Sequence, residues 1–558
     1  MDDRGANPGA GSGQMDQRVT RMVRRMAGAR APPRVAVRQH VPREVHSRNA
    51  SSARRVARLS RHVAGSDSVP TVELPAQRVP VLAQCEVLVV GGGPAGLSAA
   101  LGARRAGADV ILMERFGCFG GVITTVGMET MGWYRYEGTE DCEGIGREME
   151  RVAERMGGTT KWPCNDSDCL DAEAFKIVAD TLIQESGVRP LLHCFCVDVL
   201  KSEDGGRIVG VVTESKSGRT VVLAKRVIDC TGDADVAHLA GCPTTRLPGP
   251  QRMGATTVFS TAGVDKERFL QHVKDNPRTY LAWSESGNGD WKQETTGKEN
   301  HLPTPFLDKE FEKAARDGVI SNEDGSSISG SWSALSDAGE ATNLNLVHLS
   351  GASYVTTGHS VRCLSLLLRG CCCDVVVCAS LCVVWGFCVP LLCWRHGCGR
   401  RYDMLDVKDI TRAEMDGRRK TTAAIAALRH ALPGFEKAKL RNFGMTVGVR
   451  DTRKIIGRYN LTSRDVREQG RFSDAVGIFP EFIDGCVYCA TAVCVRPPCL
   501  QRVPPRCRYN ILILPTTGRY FQVPLGCCIP HGVDNLLVAG RCVAGDKTSH
   551  AAMRNMMA

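Results

Sequence analysis

Residues 85–114 read CEVLVVGGGPAGLSAALGARRAGADVILME. The opening CEVLVV is a short apolar run, rich in β-branched residues and followed by glycines, which predicts a buried parallel strand. LSAALGARRAG then spaces its apolar residues at helical intervals and stops at Gly107. DVILM is a second buried strand, closed by Glu114. The stretch therefore reads as one βαβ unit, about thirty residues long.

Between strand and helix lie Gly91, Gly92, Gly93, Pro94, Ala95 and Gly96, a G-x-G-x-x-G in the context that motif requires. Gly91 permits the tight turn, Gly93 lets the backbone approach a pyrophosphate, and Gly96 lets helix and strand pack closely. The helix start offers free N–H groups and a positive dipole end. Glu114, at the end of the second strand, is placed to accept hydrogen bonds from ribose hydroxyls. The bland alternative is a packing turn with a solvated Glu. Strand, glycines, helix, strand and acid in register favour dinucleotide binding.

The motif alone does not separate NAD from FAD. Three features favour FAD. Arg115 is followed by the pair Gly120–Gly121, a run that in similar flavoproteins lies beneath the flavin. An antiparallel meander, predicted from LLHCFCVDVLKSED, GGRIVGVVTES and GRTVVLAKRVIDCTGD, ends in a second strand-end turn holding Thr231, Gly232 and Asp233. The final block, NLLVAGR, is a third strand with a turn at Gly540 and Arg541. No second G-x-G-x-x-G is present, so a separate nicotinamide domain is not expected.

At these residues the chain resembles the FAD-dependent oxidoreductases of the glutathione-reductase-like superfamily. More narrowly it is similar to a family related to the flavin subunit of heterodisulfide reductase, which GVRDTRKIIGRY at 448–459, RFSDAVGIF and FIDG also match. The resemblance covers about residues 82–352, 404–485 and 509–558. It implies an α/β fold: an FAD/NAD(P)-binding Rossmann-like domain built from discontinuous segments, with a mixed α+β substrate domain. It also implies FAD as cofactor, hydride transfer from a small-molecule substrate to flavin N5, and a separate electron acceptor. His550 and Arg554, one helical turn apart in SHAAMR, are the candidates for proton handling and anion holding, since that helix start should approach the flavin. A surface His and an Arg pairing a phosphate or carboxylate in a structural role are the plain alternatives. Arg450 and Arg453 are weaker candidates. Relatives usually continue past this helix into another glycine turn, so a truncated site is a further expectation.

The remaining sequence sets boundaries. The expected division is a leader at 1–80, FAD-binding segments at 81–250 and 509–558, and a substrate domain at 251–485. Two cysteine-rich insertions, 353–403 and 486–508, interrupt it. Between residues 19 and 61 stand twelve arginines against the single acid Glu44, with no aromatic residue before Phe116. That pattern reads as a disordered or organelle-targeting leader rather than a nucleic-acid arm, leaving the compartment open between cytoplasm and organelle. Of 26 cysteines, nine fall within 363–398 and five within 486–507. Those windows carry no helical or alternating period and read as inserted or mis-spliced sequence, which leaves an inactive FAD-like scaffold as the alternative to an enzyme. VVVCASLCVVWGFCVPLLCW, at 375–394, is long enough to span a bilayer. A single span there would put the two ends of one flavin site on opposite sides of a membrane, so it is not expected to cross. No metal ligands are assigned: Cys486, Cys489, Cys494 and Cys499 are the nearest approach to an iron–sulfur run and fit no cluster spacing, which leaves an iron–sulfur or membrane-associated flavoprotein as a minor alternative. Cys118 has no neighbour at redox-disulfide spacing.

Overall fold

In the computed structural model of the chain, residues 75–129, 142–161, 168–248, 252–276, 291–295, 307–325, 334–349, 402–488 and 508–555 are described. The βαβ unit forms as β1 (Val81–Val90), α1 (Pro94–Arg105) and β2 (Val110–Met113). After α2 (Ala172–Ser186) the chain adds β3 (Arg189–Leu191) and the meander β4 (Phe195–Lys201), β5 (Ile208–Ser215) and β6 (Gly218–Asp229). Helix α2 begins and ends as its sequence dictates. Asp171 caps it by accepting from Glu173 N–H at 2.8 Å and Ala174 N–H at 2.9 Å, and Gly187 closes it in the left-handed region, φ 74°.

The first sheet runs β3-β2-β1-β6-β5-β4. Strands β3, β2, β1 and the last half of β6 are parallel. The first half of β6 turns antiparallel to β5, and on that same edge its end takes a parallel partner from the far C-terminal region. Leu191, Met113, Val90, Asp229 and Val538 stand opposite one another in the ladders, so five parallel strands end in one row. The loops leaving those ends open along a single edge, the place where open α/β sheets bind ligands. Alternation gives the sheet two buried faces. Val89 and Leu112 pack with Leu97 and Phe175 on the helical side, and Leu88, Val90, Ile111 and Met113 pack with Val211 on the other. Each such fully buried aliphatic side chain contributes about 1.5–3 kcal/mol.

A second, antiparallel sheet has its own core. It contains β7 (Ala255–Ala262), β8 (Ala341–Leu349) and β9 (Lys439–Phe443), with β7 central. Across one face lies α3 (Val407–Ala431), whose Ala413, Gly417, Thr421, Ala424 and Leu428 are buried. The amphipathic pattern of residues 411–434 predicts a helix here. It starts earlier because Asp406 caps it through the N–H groups of Lys408 and Asp409, and it ends before the Pro433 signal. The chain then returns to the first sheet as β10 (Leu536–Val538) and α4 (Lys547–Met553). Asn535 secures that return. Its amide donates to Ile208 O at 2.7 Å and Lys225 O at 2.9 Å and accepts from Ile208 N–H at 2.9 Å.

Residues 77–558 group as one unit. The expected leader falls outside the described residues up to residue 74, as do the apolar stretch 375–394 and all of the window 353–403 but Tyr402 and Asp403. Of 486–508, Cys486, Val487, Tyr488 and Arg508 are described, and they belong to a strand pair: Ile483–Tyr488 runs antiparallel to Arg508–Ile513. Among the described residues no helix is long and apolar enough to cross a membrane.

Candidate functional site

The glycine loop is built by steric necessity. Gly91 has φ +105°, and a Cβ there would lie 2.4 Å from Cys230 O. A Cβ on Gly96 would lie 1.7 Å from Gly91 O. Only glycine lets α1 start this close to β1. The first bond inside α1 runs from Leu97 N–H to Gly93 O at 2.9 Å, so the N–H groups of Ala95 and Gly96 precede it. No side chain caps the helix and its first turn holds no acid, the arrangement an anion requires.

Glu114 is 6% exposed. One carboxylate oxygen accepts from Gly92 N–H at 2.6 Å and the other from Phe116 N–H at 3.0 Å. The acid thus braces the loop, keeps acceptor capacity on both oxygens, and lines the cavity. Gly121, at φ +51°, lies against the same loop: a Cβ there would meet Gly93 Cα at 2.6 Å. Gly120 N–H donates to Gly92 O at 2.8 Å. Past Gly121 the chain makes one π-helical turn, Val122–Val126, of the kind often found at functional sites.

Two further turns close on this loop. Asp229 is fully buried and accepts from Thr231 N–H at 3.0 Å, Thr231 Oγ1 at 2.7 Å and Ala237 N–H at 3.0 Å, fixing the second turn. Burial pushes its carboxyl above the usual range. Gly540, at φ +80°, approaches α1 so closely that a Cβ would stand 2.9 Å from Ala95 Cβ. Arg541 ties the third turn to the second by donating to Asp233 Oδ1 at 2.8 Å and to Val449 O at 2.6 Å. Asp235, crowded by burial and by Asp233 and Asp229, titrates at about 6 despite its ion pair with Arg453.

One cavity joins these turns. Gly91, Gly93, Pro94, Ala95, Glu114 and Arg115 line it from the first turn, with Gly121 above them. Thr231, Gly232, Asp233, Gly540 and Arg541 line it from the other two. Gly92, Gly96 and Gly120 lie behind the wall as packing glycines. The paired candidates on α4 separate. Arg554 lines the cavity and donates to Asp484 O at 2.6 Å and to its carboxylate at 3.0 Å. His550 does not line it. At 1% exposure it pairs through Nε2 with Arg450 O at 3.1 Å, and burial keeps the imidazole well below its usual pKa. With a carbonyl as partner, the neutral ring donates. Arg453 is ion-paired with Asp235, whereas Arg450 lines the cavity.

Sequence reasoning missed the far wall. Thr256, Asn343, Asn345 and Val447 reach the cavity from the second sheet and the loop after it. Asn343 adopts φ 51°, a conformation no motif announces. The segment at 448–459 was the one available signal. Among the described residues no group of His, Cys, Asp or Glu has metal-binding geometry, and Cys118 is buried beside Thr124.

Parallel strands of a mixed sheet, with three glycine turns converging before an uncapped helix, define an α/β dinucleotide-binding protein. The family model described as FAD dependent oxidoreductase matches residues 86–351 and 384–558, well over half the chain. The chain belongs to the FAD-dependent oxidoreductase family, and FAD is the cofactor this brings. The residues fit it: glycines that a Cβ would block, N–H groups at a helix start, and an acid beyond the second strand. No curated protein matches by sequence. Solved structures are similar in part. A geranylgeranyl bacteriochlorophyll reductase-like protein from Thermoplasma acidophilum shares 20% identity over 33% of this chain and 48% of its own, with a TM-score of 0.26. For a flavocytochrome c3 fumarate reductase the values are 18%, 32%, 44% and 0.25. A 3-ketosteroid-delta4-(5alpha)-dehydrogenase from Rhodococcus jostii gives 18%, 29%, 50% and 0.21. The chain spans about half the length of these structures. At such scores the likenesses add nothing to the family match.

Proposed function

We propose that the chain works in the branch related to the flavin subunit of heterodisulfide reductase, taking electrons from a small-molecule substrate and passing them to a separate acceptor. One observation supports the reading most. Turns drawn from residues 91–96, 231–233 and 540–541 meet at one row of strand ends before an uncapped helix. The resemblance of residues 448–459 favours the narrower branch, and that segment supplies Val449 and Arg450 to the cavity.

When bound, FAD supplies a hydride acceptor at N5. The chain's own residues do the rest. The Ala95 N–H group at the helix start would hold the diphosphate, and Glu114 the ribose. Gly121 lies over the loop, and Arg541 locks the closing turn to Asp233. Arg554, already held by Asp484, would fix negative charge at the far end of the cavity. His550 holds the carbonyl of Arg450 and so sets the position of that loop.

The test is an anaerobic redox titration of the purified, FAD-loaded protein. Uptake of two electrons per chain, returned to an added dye acceptor, is the expected result. A protein that retains no FAD, or whose flavin exchanges no electrons with the dye, contradicts the proposal.

A further inference from the structure

The cavity extends past its nucleotide arm to a wall made by the second sheet. There Thr256 on β7 and Gly448 exchange both backbone hydrogen bonds, at 2.9 and 2.7 Å, which fixes Thr256 two residues from Arg450. Neighbours on a strand face opposite ways. Thr257 Oγ1 lies against α3, 1.9 Å from where a Cβ on Gly417 would stand, so Thr256 faces the cavity that it lines. Thr256 is 1% exposed and its Oγ1 has no hydrogen-bond partner among the described residues. A buried hydroxyl left unbonded is costly, and a ligand oxygen at this wall removes that cost.

Arg450 is the second half of the observation. Arg541 and Arg554, on the same cavity, are each paired with a carboxylate, at 2.8 and 3.0 Å. Arg450 is half-buried, and among the described residues it meets none. Its contact is with Asn345 Oδ1 at 3.3 Å, which orients the guanidinium. His550 holds its backbone from behind.

We propose that Thr256, Asn345 and Arg450 form an anion subsite for a small molecule carrying a carboxylate, held beside the flavin. The subsite rests on the reading that the other arm of the cavity holds FAD. A carboxylate matches the guanidinium fork in its own plane, and the Thr256 hydroxyl donates to one of its oxygens. A phosphate monoester brings a second charge that Arg450 alone does not balance.

FAD content is measured first, by absorbance. Calorimetric titration of the FAD-loaded full chain then compares acetate, succinate and benzoate with their amides and with inorganic phosphate. At least one carboxylate should bind, with its amide and phosphate about tenfold weaker or more, since each lacks the charge or shape the pair selects. Arg450→Ala should weaken that carboxylate by about tenfold or more, Arg450→Lys by less, and Thr256→Val by a few-fold, with FAD retained. Should a variant fail to fold, the carboxylate–amide comparison on the native chain decides. FAD-loaded protein that binds no carboxylate, or binds amide or phosphate as tightly, overturns the subsite. So does affinity unchanged in folded Arg450→Ala and Thr256→Val proteins. A native chain without FAD overturns the cofactor reading and this subsite with it.

Discussion

At the scale of single residues, the legible part of the site was the part made by local chemistry. Gly91, Gly96 and Glu114 lie within one βαβ unit, so spacing alone placed them. Thr256 and Asn345 were not legible because strand pairing brings them together across the chain, and nothing near either residue announces the cavity. His550 shows the limit of helical spacing: one turn from Arg554, it shares a helix but not the cavity. Glu129 is another residue that only the fold explains. It is buried, accepts from the Thr342 hydroxyl, and burial lifts its carboxyl to about 7. The native state therefore keeps a proton there that the unfolded chain releases near 4.5. Stability from this group is complete below that value and falls as pH rises towards 7. Glu129→Gln removes the loss and should gain roughly 3 kcal/mol over the native chain at pH 8, and nothing comparable at pH 4. Thermal melts of both proteins at the two pH values check this. Parallel pH profiles would show that Glu129 is ionised in the fold.

Elements were legible where their ends carry chemistry. Asp171 and Gly187 bracket α2 in the sequence and in the structure. The meander was readable from alternating strands and turns. Neither of the long strands of the second sheet was legible. Residues 255–262 and 341–349 carry no turn signal that sets their register, and their pairing is decided by the core they share with α3. That packing has a testable tight point. A Cβ on Gly417 would lie 1.9 Å from Thr257 Oγ1 and 3.0 Å from its Cβ. Alanine normally favours a helix over glycine by about 1 kcal/mol. Here overpacking wins, and Gly417→Ala should lower stability by about 1–3 kcal/mol. Adding Thr257→Ala should restore part of the loss by removing the hydroxyl. Denaturant unfolding of the single and double variants measures both; a single variant more stable than the native chain would show that helix and sheet are looser than described.

At the scale of the whole molecule, function depends on segments far apart in sequence meeting at one sheet edge. The α/β class and the discontinuous nucleotide-binding layer were readable because each segment carries its own glycine turn. What joins them was not. Arg541 reaches Asp233, and Asn535 reaches Ile208, across some three hundred residues. Those bonds make the C-terminal turn part of the site, so loss of that segment should loosen the cofactor as well as the fold.

Equilibrium titration of FAD into the apoprotein, followed by flavin fluorescence, tests the central claim most directly. One FAD per chain should bind, ADP should compete because it carries the adenylate and diphosphate, and riboflavin should bind far more weakly. Gly96→Val, whose side chain would occupy the position 1.7 Å from Gly91 O, should abolish binding. Riboflavin binding as tightly as FAD, or a folded Gly96→Val protein with native affinity, would contradict the account.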